Sequence, residues 1–147
     1  MKSQLLKSYI PKTRKLYITY KNQKTMEMPL AEVIDRFVIV RLKKERIKTE
    51  DKTDEYEHYK KVLEDYKKQG ILIKQEWIDR LYDANSKIWD LESDIRKGKE
   101  GLLGLEEVGR RSIKIREINK IRISIKNQIV EETGSGFKDI KMNHASE

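Results

Sequence analysis

From Pro29 onward, apolar residues recur at three- and four-residue intervals along most of the chain, a spacing that predicts helices. The first runs from about Pro29 to Lys48, with Pro29 suited to its opening turn. Leu30, Val33, Ile34, Phe37, Val38, Val40, Leu42 and Ile47 fall on one broad side, and Ile39 falls opposite. An arc this wide predicts contact with more than one neighbour. A second helix is predicted from an Asp54 cap through Gln69. Its narrow, tyrosine-rich stripe (Tyr56, Tyr59, Val62, Leu63, Tyr66) suits an edge position, and Gly70 suits the left-handed residue after its end.

The third pattern, roughly Lys74 to Lys97, gathers Trp77, Ile78, Leu81, Ala84, Ile88, Trp89, Leu91 and Ile95 on one face. Asp79, Asp83, Ser86, Asp90 and Asp94 lie opposite and read as solvent. A glycine-rich turn, Gly98 to Gly104, is short enough that the next helix returns antiparallel. That helix, roughly Leu105 to Glu132, has a seam of Val108, Ile115, Ile118, Ile121, Ile125 and Ile129, widened by Leu105, Ile123 and Val130. The alternation in Ile121 to Ile125 also fits a strand, but the helical seam continues on both sides of it. Before Pro29 the signal is weaker: Lys15 to Tyr20 favours a short strand, which Lys21 to Gln23 can turn back towards Lys24 to Met28.

Charged residues make up 39% of the 147, with 2 Pro and 7 Gly, a composition of long helices. The expected fold is all-α: an antiparallel helical bundle built on the long helix-turn-helix hairpin, with a short basic N-terminal arm. The divisions are an arm over 1–25, a bundle over 26–133 and a tail over 134–147. With 0 Cys, a disulfide framework, a thiolate metal site and a cysteine nucleophile are excluded. No signal-peptide pattern opens the chain and no apolar run is long enough to span a bilayer, so a cytoplasmic protein without membrane contact is expected.

The net charge of +8 is concentrated in residues 1–25, which hold seven Lys or Arg and no acid. Within this arm Lys12, Arg14 and Lys15 interleave with Tyr17 and Tyr20, a combination that can follow phosphates while rings stack on bases.

Several polar side chains fall inside apolar faces: Arg41 on helix one, Asn85 and Glu92 on helix three, and Arg111, Asn119 and Arg122 on helix four. Buried charges must be paired or must hold a ligand. These residues therefore form either an ion-pair network around Glu92 or a cationic pocket in which arginine forks receive a phosphate or carboxylate.

Catalytic signals are weaker. Glu92, Asp94, Glu106, Glu107 and Glu117 lack the paired spacing by which helical nucleotide pyrophosphohydrolases hold magnesium, which makes a metal-dependent nucleotide hydrolase a minor alternative. His58 lies off the apolar stripe of helix two, and His144 lies in the tail. Gly134 to Gly136 lacks the flanking strand and Lys-Ser/Thr of a phosphate loop. No catalytic residue, metal ligand or cofactor is assigned.

Met28 to Asp35, Leu81 to Arg96 and Ile118 to Asn127 resemble a family of small all-helical proteins of unknown function found in bacteria, some near surface-polysaccharide genes, and in bacteriophages. The resemblance spans about residues 28 to 130 and implies a helical fold and a prokaryotic or phage origin, without an activity. Three functions follow as expectations. The first is a non-enzymatic interaction protein acting on a protein partner or on itself as a homo-oligomer. The others are a binder of an anionic small molecule (phosphate, nucleotide or sugar nucleotide) and a nucleic-acid binder acting through the arm.

Overall fold

Pro29, with φ −61° and no N–H, sets the entry to the first helix, α1 (Leu30–Arg46). The orphan N–H of Leu30 is met from the far end of the chain: Ser135 Oγ, on a buried residue, accepts it at 3.1 Å. A computed structural model describes residues 5–9, 16–20, 26–48, 51 and 53–139. The other helices are α2 (Thr53–Lys68), α3 (Gln75–Arg96), the single turn α4 (Glu100–Leu103) and α5 (Leu105–Thr133). Before them lie strands β1 (Leu5–Tyr9), β2 (Leu16–Tyr20) and β3 (Met26–Met28).

The fold is an all-α bundle. Helices α3 and α5 form its antiparallel hairpin, α1 packs on both, and α2 packs mainly on α1 at the edge. Polar rungs fix the register: Lys74 pairs with Glu132, and Arg80 reaches Gln128 Oε1 at 2.9 Å. Between α1 and α5, Lys126 pairs with Glu32 at 2.5 Å and Arg122 pairs with Asp35. The core gathers Val33, Ile34 and Val38 of α1, Leu63 and Tyr66 of α2, Trp77 and Leu81 of α3, and Ile125 and Ile129 of α5. Beyond Asn85 on α3 and before Ile118 on α5, no residue of the hairpin is fully buried. Its outer half therefore projects from the core with Leu102 and Leu105 at the tip, 87% and 88% exposed.

Four details differ from the periodicity. The expected two-stranded pairing is a three-stranded antiparallel meander, β1-β2-β3, because Leu5 to Tyr9 pairs along β2 as well. Helix α2 starts at Thr53, whose N–H donates to Asp51 Oδ1 at 2.9 Å; Asp51 thus takes the role expected of Asp54. The glycine-rich turn holds the extra helical turn α4. Gly136, at φ 90°, lies so close to Pro29 that an added Cβ would meet the proline Cβ at 2.7 Å, so the tail is pressed onto the start of α1.

Candidate functional site

The residue that organises the polar core is Asp35, 2% exposed in the middle of α1. Arg122 of α5 donates its Nε to Asp35 Oδ1 at 3.0 Å and a terminal nitrogen to Oδ2. Asn85 of α3 donates Nδ2 to Asp35 Oδ1 at 3.0 Å and to the Leu81 carbonyl at 2.9 Å. Three helices thus meet on one carboxylate, and the hydrogen bond to Asp35 raises the pKa of the Arg122 guanidinium. Sequence reasoning missed Asp35, although at about 100° per residue it lies only about 20° from Leu42 on the helix wheel.

Beside this pair a cleft of about 740 Å³ opens between the second half of α1, α3 and α5. Its apolar part is Ile39, Leu42, Ile47, Ile88 and Trp89. Ile39, expected opposite the packed face, is half-buried here because the cleft gives it a second apolar surface. Asn85, Glu92, Asn119 and Arg122 all line the cleft, so four of the six polar candidates come together. The rim adds Lys43, Arg46, Lys48, Arg96 and Lys97, which no apolar seam singled out. A smaller space of about 250 Å³ lies against Asp35, Arg36, Lys43 and Tyr59.

Two candidates lie elsewhere. Arg41, expected mid-face, is 38% exposed; its guanidinium sits 4.4 Å from the centre of the Tyr82 ring and donates to Glu45 at 2.9 Å. Tyr82 also donates its hydroxyl to Glu45, which raises the Tyr82 pKa. Burial pushes the Glu45 carboxyl up, but Tyr82, Arg41 and Arg46 together bring it below its ordinary value. Arg111, 17% exposed, belongs to the outer hairpin, where it pairs with Glu107 at 2.9 Å and Asp94 at 3.2 Å. Asp94, expected in solvent, is therefore a rung of the hairpin. The three arginines do not converge, and Glu92 answers its own helix neighbour Arg96 at 2.8 Å rather than Arg111 or Arg122.

Of the arm candidates, Lys12, Arg14 and Lys15 lie outside the described residues, while Tyr17 and Tyr20 belong to β2. His144 also lies outside them; His58 sits edge-on to Tyr59 on α2, ring centres 5.2 Å apart. Among the described residues no group of three His, Asp or Glu side chains is placed to hold a metal ion, and no helix is long and apolar enough to cross a membrane. Comparison with family models, with curated proteins and with solved structures finds no match.

Proposed function

We propose that the protein is a non-enzymatic binding module whose cleft takes an anionic small molecule: a phosphate, a nucleotide or a sugar nucleotide. The observation that carries this reading is the charge of the lining. Among the described residues, Lys43, Arg46, Lys48, Arg96, Lys97 and Arg122 line the cleft and Glu92 is its one carboxylate. A volume of about 740 Å³ with an apolar wall and a few polar groups is the ordinary form of a small-molecule site. Thermal-shift measurements with pyrophosphate and with nucleotides test it. A rise in Tm that shrinks with added salt and is lost in Lys48→Glu/Lys97→Glu is the expected result. The absence of any shift at saturating anion overturns it.

A second reading, self-association, is favoured by the tip of the hairpin. Leu102 and Leu105 stand almost wholly in solvent at the end of two helices that lack a buried core there. A second copy supplies the two further helices that a four-helix arrangement needs. Light-scattering mass that rises with concentration and falls to the monomer in Leu102→Glu/Leu105→Glu supports it; a monomer at all concentrations sinks it.

A further inference from the structure

Resting on the reading of the cleft as an anion site, we propose that its ligand is a nucleotide with two or three phosphates, the base stacked on Trp89 and the phosphates held by Lys43, Lys48 and Lys97. Charge is the first argument. Each arginine of the lining is already matched: Arg122 by Asp35, Arg46 by Asp90 and Arg96 by Glu92. The three lysines make no ion pair with the described residues, which leaves the cleft three positive charges unmatched among them. A chain of two or three phosphoryl groups carries roughly −3 to −4 near pH 7, because its last ionisation lies near pH 6. Lysine ammoniums suit such a chain as mobile point charges.

Shape is the second argument. A lone phosphate would leave most of about 740 Å³ to water. Trp89 lies on α3 and Lys97 caps its C-terminal end eight residues later, about 12 Å further along the axis at 1.5 Å per residue. Ring and charge therefore occupy different stretches of one cleft, which matches a ligand with an aromatic end and an anionic end. Polar groups near the ring remain available to a base edge. Asn119 makes no hydrogen bond with the described residues, and Asn85 spends both Nδ2 hydrogens on Asp35 and Leu81, leaving its Oδ1 as an acceptor.

The chain carries its own reporter. It has 2 Trp, of which Trp77 is fully buried in the core and Trp89 lines the cleft. The experiment is a fluorescence titration of the full chain with ADP and, separately, with pyrophosphate by calorimetry. ADP is expected to quench emission saturably and to bind about tenfold tighter than pyrophosphate, within the range of one stacked base. Trp89→Phe is expected to abolish the quench, and Lys97→Ala, at an exposed position, to weaken both ligands several-fold without changing Tm. Equal affinity for ADP and pyrophosphate, with no quench, overturns the nucleotide assignment and leaves the anion site standing. Binding of neither overturns both. Tight binding of a single-stranded oligonucleotide with no binding of ADP also overturns the assignment, in favour of a polynucleotide.

Discussion

Asp35 and Arg122, 87 residues apart, form a two-pronged ion pair in which the carboxylate is almost completely buried and the guanidinium reaches the edge of the cleft. Taking one partner away leaves the other charge without its match in a poorly solvated place. Asp35→Leu is therefore expected to lose about 3–5 kcal/mol of stability, and Arg122→Met nearly as much. Asp35→Leu combined with Arg122→Met is expected to recover most of that, since neither charge then needs solvation. Urea unfolding of the four proteins in a double-mutant cycle checks this; additive losses would show that the two side chains do not act as a pair.

Ser135 is the remote cap of α1, because the Pro29 ring has no acceptor to offer the Leu30 N–H. Ser135→Ala is expected to lower stability by about 1 kcal/mol, read as a lower urea midpoint with an unchanged slope. Gly136→Ala is expected to do at least as much, by forcing a Cβ onto the Pro29 ring and straining a positive φ. The two losses should add to less than their sum, because each releases the same stretch of tail.

The helices, their order and their principal faces were readable from periodicity because burial imposes the 3.6-residue repeat directly. What the repeat does not carry is which part of a wide face ends at a neighbour. Arg41 lies mid-arc on α1 yet turns outward over Tyr82, while Asp35, at the margin of the same arc, is sealed in by α3 and α5. Single-helix wheels treat both alike, since the difference belongs to the positions of other helices. The same reason hid Lys43, Lys48 and Lys97: none lies inside an apolar seam, and only the approach of α1 to α3 makes them one rim. Asn85, Glu92, Asn119 and Arg122 were findable because a polar residue inside an apolar seam is itself the signal.

That distinction gives a control for the cleft. Arg41→Ala and Arg111→Ala remove cations that the seam singled out but that lie outside the lining. Both are expected to leave pyrophosphate affinity within about twofold of the parent, against a several-fold loss for Lys97→Ala, since each is already paired with a carboxylate and its remaining field is screened by salt. A large loss in either would move the anion site to the outer hairpin or to Tyr82.

The outer hairpin should respond to acid. Hydrogen bonds from Arg110 and Arg111 hold the Glu107 carboxyl down to about 2, from an ordinary 4.5. A carboxyl lowered in the folded state contributes fully above its unfolded value and loses that contribution as pH falls through the folded one. The protection of amides near Arg111, taken relative to their intrinsic exchange rates at each pH, is therefore expected to fall between about pH 4.5 and pH 2, as Glu107 titrates. Glu107→Gln should flatten that dependence; an NMR titration placing the Glu107 midpoint near 4.5 would remove its basis.

Trp77 is 0% exposed, and its indole Nε1–H meets no acceptor among the described residues. An unmet buried donor works against the fold by about 1–3 kcal/mol, so part of what the large ring contributes by packing is offset. Trp77→Phe removes the donor while keeping an aromatic ring under the Lys74 ammonium, which lies 5.5 Å from the indole centre. The expected loss is about 1 kcal/mol or less, whereas Trp77→Ala, which empties the site, should lose about 3–5 kcal/mol. Denaturant midpoints of the two variants decide the matter: a loss near 3 kcal/mol in Trp77→Phe would mean that the indole nitrogen is bonded after all. If the phenylalanine variant is as stable as expected, it leaves Trp89 as the single tryptophan, and the cleft is then read without tryptophan emission from the core.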